Sequence, residues 1–135
     1  MSLVSWNESY TVKVGRCDDD HKKLFSLINA LHDAMLDGKG AVVIGQVIKE
    51  LANYTQYHFS AEEAMMEKTK YPGLHAHRLQ HREFVSQVEQ FKRDLLEGKG
   101  GQTITVAVFL NDWLTKHIRQ TDQQYSAHLN ANGIH

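Results

Sequence analysis

The sequence has few of the residues that cross-link or break a chain, and no excess of either charge. Only one of its 135 residues is cysteine, so no disulfide can form within the chain, and only one is proline. A formal net charge of −1 at pH 7 leaves no basic surface for nucleic acid. The longest apolar run, Val106–Leu110, is far too short to cross a bilayer. We therefore predict one soluble domain over residues 1–135, and the single cysteine and lack of a secretory leader favour the cytoplasm.

Glycine and proline cluster at three breaks, and apolar residues repeat at spacings of three and four between them. The breaks are residues 38–40, 71–73 and 98–101. The spacing is that of amphipathic helices, which we place at about residues 18–38, 41–68, 73–98 and 103–120. Short connections between long helices make neighbours antiparallel. The sequence thus predicts an all-α, up-down-up-down four-helix bundle.

The two ends of the chain lack this periodicity. We expect residues 1–17 to form an extended arm that Trp6 and Tyr10 anchor to the bundle. Asp18, Asp19 and Asp20 supply N-cap oxygens where the first helix is predicted to begin, and Thr103 is the candidate cap of the fourth. The polar run at residues 126–135 is expected to be a solvated tail.

Histidine is the one residue type in excess, with nine in the chain. The stretch LHAHRLQHREF at residues 74–84 holds three of them. His77 and His81 are four residues apart and share a helix face, whereas His75 points to another side. The inward stripes contain His21, His58, Glu62, His77, His81 and His117. A single buried histidine is usually a satisfied core residue, but a group of six ionisable side chains needs a shared partner, and a metal ion provides one.

Chain geometry tests whether these residues can meet. His21 lies 17 residues before Gly38, and His58 lies 17 residues after Ala41. Both helical segments are roughly 25 Å long, so the two imidazoles lie at the same height in the bundle. The second hairpin repeats the relationship, with 17 residues from His81 to position 98 and 16 from position 101 to His117. The polar residues therefore converge at one level.

The ligand types narrow the choice of metal without deciding it. Imidazole and carboxylate without thiolate suit iron, manganese or zinc. Six candidate ligands are too many for a closed tetrahedral zinc site. Di-iron carboxylate bundles use Glu-x-x-His pairs and more carboxylate than this chain offers. The pairs here are His58-x₃-Glu62 and His77-x₃-His81.

Together with one further group, these residues resemble the ligand set of the hemerythrins. The matching groups are His21, His58-x₃-Glu62, His77-x₃-His81 and His117-x₄-Asp122. The resemblance runs from Trp6 to about Tyr125 and is strongest to the bacterial single-domain form of the family. Asp122 enters through the resemblance alone, since five residues after His117 it resembles a surface aspartate.

The resemblance implies two non-haem iron ions joined by an oxo or hydroxo bridge. His77, His81 and His117 would bind one iron, and His21 and His58 the other, with Glu62 and Asp122 bridging them. The second iron would then keep one position open for dioxygen. The residues that match the family's oxygen pocket are Trp6, Leu24, Phe59, Phe84, Trp113, Leu114 and Ile118. Ordinary core packing would also explain them.

The function implied by the resemblance is reversible dioxygen binding for storage, transport or delivery to an oxygen-using enzyme, without catalysis. Two alternatives place the same irons in other roles. One is oxygen or redox sensing through a partner protein. The other is a di-iron peroxidase or a nitric oxide-handling activity. No nucleic-acid or membrane partner is expected.

Overall fold

The computed structural model describes residues 3–38, 41–98 and 103–135, with the side chains of residue 41 and residues 103–106 left aside. After a single 3-10 turn at Glu8–Tyr10, helix α1 spans Gly15–Leu36 and α2 spans Ala41–Lys68. Helix α3 spans Leu74–Leu96, and α4 spans Thr103–Lys116. The chain then continues through a π-helical segment, His117–Asp122, into α5, Gln123–Ala131. The described residues contain no strand, which confirms the predicted all-α class.

The helices form an antiparallel four-helix bundle because each presents one apolar face to the others. Helix α1 packs against α2 and α4, and α2 packs against α3. The predicted stripes form the core, with these fully buried members: Leu24, Ile28, Leu31, Leu51, Leu110 and Ile118. Gly38 and Gly98 end α1 and α3 with φ of 66° and 76°, a conformation that glycine adopts without strain. No helix in the described part of the chain is both long and apolar enough to cross a membrane.

Helix α1 begins three residues earlier than the sequence predicts. Asp18 lies in its first turn and accepts hydrogen bonds from the Val12 N–H and the Thr11 hydroxyl, so it fastens the arm to the helix. The predicted capping is wrong, because the helix begins after Val14 without a side-chain cap and Asp20 is buried. The side chain of Thr103, the predicted cap, is not among those described. Residues 39–40 and 99–102, which include most of two glycine breaks, also lie outside the described residues.

The N-terminal arm packs along α1, as predicted. The Trp6 ring lies 5.8 Å from Tyr10 and 6.1 Å from Phe25, measured between ring centroids. Farther out, the Val4 backbone and the Asn29 side chain exchange two hydrogen bonds, of 3.0 and 2.8 Å. Aromatic packing and paired hydrogen bonds thus order a segment that has no helical period.

The expected solvated tail is wrong for most of its length, because the chain is helical to Ala131. Tyr125 and Leu129 are both fully buried, four residues apart on one face of α5. They close the end of the bundle near Thr69, whose carbonyl accepts a 2.7 Å hydrogen bond from His128. Tyr125 and Leu129 are isolated apolar residues among polar ones, so their periodicity was too weak to predict this helix. His135, at the end of the chain, is exposed as expected.

Candidate metal centre

The structure brings all seven candidate ligands together inside one end of the bundle. Five of them, from α2, α3 and the π-helical segment, have ligand atoms within 4.8 Å of one another: Glu62, His77, His81, His117 and Asp122. His21 and His58 form a second group of the same tightness with Glu62. No side chain of the seven is more than 3% exposed. His75 is exposed and lies in neither group, so the helix-face assignment is correct.

The two carboxylates each direct one oxygen to either side of the cluster. Oε2 of Glu62 lies 3.4 Å from His21 Nε2 and 3.2 Å from His58 Nε2, whereas Oε1 lies 3.3 Å from His81 Nε2. Oδ2 of Asp122 lies 3.2 Å from His21 Nε2. Its Oδ1 lies 2.9 Å from His77 Nε2 and 3.0 Å from His117 Nε2. Glu62 and Asp122 are thus placed to bridge two ions.

The cluster fits metal ions because its own atoms do not satisfy one another. Among the described residues, the Nε2 atoms of all five histidines are buried without a hydrogen-bond partner, as are three carboxylate oxygens of Glu62 and Asp122. These atoms lie close together without forming hydrogen bonds to one another. Two ligands with metal bonds of about 2.1 Å at right angles are about 3.0 Å apart, close to the separations found here. Buried polar atoms without hydrogen-bond partners are unfavourable, and bound metal ions would provide the missing partners.

The two sides of the cluster offer different numbers of protein ligands. One side has three imidazoles and two carboxylate oxygens, and the other has two imidazoles and two carboxylate oxygens. An ion pair held here would be asymmetric. The side of His21 and His58 has one protein ligand fewer than the other side.

A change of helix type places Asp122 in the cluster. In an α-helix, positions five apart are rotated by about 140°, so Asp122 would point away from His117. Residues His117–Asp122 form a π-helix, in which hydrogen bonds join i to i+5 and the wider turn stacks these positions. Regular helical periodicity cannot reveal this, and only the His-x₄-Asp motif could have identified the residue.

Three of the five histidines are hydrogen-bonded through Nδ1 to polar side chains that nothing in the sequence placed at the site. The Nδ1–H of His58 donates to Asp20 at 2.9 Å, and that of His81 donates to Glu63 at 2.7 Å. His117 donates to the side-chain oxygen of Gln80 at 2.8 Å. Such contacts fix the tautomer, leave Nε2 free for a metal and orient the ring. Nδ1 of His21 is buried without a partner in the described structure.

The electrostatics of the metal-free cluster favour protonated imidazoles beside ionised carboxylates. Burial lowers the pKa of His58, but the Glu62 charge and the Asp20 hydrogen bond outweigh burial and raise that pKa to about 10. For His77, burial is likewise outweighed by the nearby Asp122 and Glu62 carboxylates, and its pKa rises to about 9. Although burial opposes it, the imidazoles hold the pKa of both carboxyls well below their ordinary values. A metal ion would replace these protons as the positive partner.

One buried tyrosine contacts the cluster directly. The Tyr125 hydroxyl donates a 2.5 Å hydrogen bond to Oε2 of Glu62, and its ring stacks against His77 with centroids 5.6 Å apart. The buried Cys17 thiol interacts with the same hydroxyl. Burial and the neighbouring carboxylates raise the pKa of Tyr125 well above its ordinary value, so the hydroxyl keeps its proton. The sequence alone gave this tyrosine no role.

The seven apolar pocket candidates lie in different surroundings. Leu24, Leu114 and Ile118 are buried in the core. Phe59 stacks on His81 at 3.7 Å, and Trp113 stacks on His117 at 4.6 Å, so both rings cover the side with three imidazoles. Phe84 packs between Phe59 and Trp113 at 5.9 and 4.7 Å. The ring contacts of Trp6 are with the arm and α1. The pocket role of all seven stays a prediction.

Comparison with known proteins agrees with this geometry. The family model described as the hemerythrin HHE cation binding domain matches residues 12–129. A bacteriohemerythrin of Stenotrophomonas maltophilia is 34% identical over 96% of this chain and 86% of its own length. Myohemerythrin-1 of Phascolopsis gouldii is 34% identical over 92% of each chain. A crystal structure of wild-type hemerythrin superposes with a TM-score of 0.89 at 30% identity, covering 95% of this chain and 98% of that one.

Proposed function

The chain belongs to the hemerythrin family, whose members hold a non-haem di-iron centre, and from this premise we propose that it binds dioxygen reversibly. The observation that carries the proposal is the set of buried Nε2 and carboxylate atoms that converge on two points without hydrogen-bond partners in the described structure. The proposal assigns binding and release to this chain rather than catalytic turnover. Storage in the cytoplasm or delivery to an oxygen-using enzyme are the roles that suit it.

We assign His77, His81 and His117 to one iron, and His21 and His58 to the other. Glu62 and Asp122 would each offer one oxygen to either side, in keeping with the distances of 2.9–3.4 Å between those oxygens and the nearest imidazoles. The iron pair, when bound, supplies the electrons that dioxygen accepts on binding and returns on release. Dioxygen is assigned to the iron of His21 and His58 because that side has fewer protein ligands.

The protein's own part is to hold the ligands rigid and to keep water out. Asp20 and Glu63 fix the rings of His58 and His81 in the tautomer that presents Nε2 to the metal. The core residues Leu24, Leu114 and Ile118 are at most 1% exposed, so an oxygen molecule in their neighbourhood is surrounded by apolar atoms. Apolar surroundings that exclude water slow the loss of charged products from the site, which favours the release of dioxygen unchanged.

A spectroscopic cycle tests the proposal. The iron-loaded protein is reduced without air, exposed to oxygen, and then freed of oxygen under vacuum or inert gas. Reversible binding requires a visible absorption band that appears with oxygen and disappears on its removal over repeated cycles. Permanent conversion to the ferric form on the first exposure, or no band at all, would exclude a carrier.

A further inference from the structure

Among the described residues, one hydroxyl contacts the metal cluster, and it touches only one side of it. The Tyr125 O–H donates to Oε2 of Glu62, which is the oxygen that faces His21 and His58. The other oxygen, Oε1, faces His81 and accepts no hydrogen bond in the described structure. The two oxygens of one bridging carboxylate are therefore unequal donors to the two ions.

The direction of this hydrogen bond is fixed by chemistry. An ionised carboxylate can only accept, so the phenol is the donor. A length of 2.5 Å is typical of a hydrogen bond to a charged oxygen, the stronger class of such bonds. The contact has no exposed atoms to weaken it, since Tyr125 is 0% and Glu62 is 1% exposed. Cys17 of α1 is also 0% exposed, so no exposed thiol lies beside this contact.

A donor of this kind withdraws charge from the ligand atom that it contacts. A carboxylate oxygen with less charge is a weaker ligand, and ferric iron depends on such charge more than ferrous iron does. We propose that Tyr125 is a positioning residue that acts through Glu62 on the dioxygen-binding iron alone, stabilising its ferrous form. The assignment rests on the proposed function, because it takes the iron of His21 and His58 as the oxygen site.

The ring and the hydroxyl of Tyr125 can be tested separately. Its ring stacks on His77, a ligand on the opposite side, and a phenylalanine at this position keeps that contact. Tyr125→Phe therefore removes the hydroxyl alone. A matched control is Tyr10→Phe, a buried tyrosine of the arm whose ring packs against Phe25 away from the cluster.

The first measurement is an anaerobic redox titration of the iron-loaded protein. In Tyr125→Phe the ferric-to-ferrous ratio at a fixed applied potential should rise by about tenfold, as expected for loss of a hydrogen bond to a charged group. The Tyr10→Phe variant should titrate as the wild type does. Equal titration curves for Tyr125→Phe and wild type would overturn the proposal.

Mössbauer spectroscopy of the fully ferrous protein separates the two irons. Tyr125→Phe should move the signal of one iron and leave the other in place. Equal movement of both signals would show that the whole centre had been disturbed, and the one-sided assignment would be wrong. Wild-type protein that fails to load two irons would instead remove the proposed function itself, so the two failures are distinguishable.

A fluorinated tyrosine at position 125 gives a second variant that keeps the shape of the wild type. Its hydroxyl is more acidic and donates more strongly, so the ferric-to-ferrous ratio should fall, opposite in sign to the effect of phenylalanine. A residue with a merely structural role would show no such reversal. This variant decides the question by itself if Tyr125→Phe does not fold, and a shift in the same direction as phenylalanine would contradict the proposal.

Discussion

Nδ1 of His58 lies 2.9 Å from Oδ2 of Asp20, and the other oxygen of that carboxylate accepts a 2.9 Å hydrogen bond from the Tyr54 hydroxyl. Asp20 is therefore held from one side while it orients the imidazole on the other. Although burial opposes it, the hydrogen bonds from His58 and Tyr54 lower the pKa of Asp20, so the carboxylate stays charged. This charge increases the basicity of the His58 ring toward a metal.

Asp20→Asn should lower metal affinity by about 10–100-fold, the usual cost of losing a carboxylate behind a histidine ligand. The amide has the same shape but no charge, so the backbone of α1 should be unaffected. Competition between the metal-free protein and a coloured chelator for ferrous iron measures the effect. Asp19→Asn is the control, because Asp19 is the exposed neighbour. Equal affinities for the two variants would show that the His58 contact does not support the site.

His77→Ala and His75→Ala should behave differently although the two positions are only two residues apart on α3. His77 is 2% exposed with Nε2 in the cluster, whereas His75 is exposed. The His77 variant should load clearly less iron per chain and lose the melting-temperature gain that iron gives the wild type. The His75 variant should match the wild type in both. Loss of iron from the His75 variant would overturn the assignment of ligands in α3.

Metal loading should release protons near neutral pH. In the metal-free protein the pKa values of His58 and His77 are about 10 and about 9, against 6.5 for an ordinary histidine. Metal ligation requires neutral rings, so binding must displace these protons. Calorimetric titration with zinc in buffers of different ionisation enthalpy should give buffer-dependent heats. Binding heats that do not depend on the buffer would contradict the predicted proton release.

The same shifts fix the pH dependence of the metal-free protein. A histidine with a raised pKa in the folded state binds more protons folded than unfolded, so its contribution is complete below about pH 6.5 and is lost as pH rises toward 9–10. The melting temperature of the metal-free protein should therefore fall across this range. The zinc-loaded protein should lack this decline, and a parallel decline in both forms would contradict the prediction.

The helices could be predicted from the sequence because their stripes are long and their breaks are marked by glycine and proline. The inward faces of Leu24, Ile28 and Leu31 follow directly from the 3.6-residue period, and the common height of His21 and His58 follows from the equal lengths of helix that separate them from the first break. Helix α5 could not be predicted in this way, because Tyr125 and Leu129 are its only buried residues. Helix α5 is stabilised by packing across the end of the bundle, and the local sequence does not reveal such a long-range contact.

The site was predictable only where helical periodicity is regular. His77 and His81 share a face at spacing four, but the π-helical turn that brings Asp122 to His117 departs from that period. The residues behind the ligands were missed for a different reason. Asp20, Glu63 and Gln80 resemble ordinary polar surface residues in sequence, and only the packing of neighbouring helices brings them against the rings.

Asp122→Asn should harm the centre more than Asp20→Asn does, because Asp122 contacts both sides. Its Oδ2 lies 3.2 Å from His21 Nε2, and its Oδ1 lies within 3.0 Å of two further imidazoles. In the metal-free protein this change leaves buried imidazolium groups without their partner, at a cost of about 3–5 kcal/mol. Urea unfolding of the metal-free variant measures that loss, and Asp112→Asn on the exposed face of α4 is the matched control. Asp122→Asn protein that was as stable as its control and loaded iron normally would show that Asp122 is not a bridging ligand.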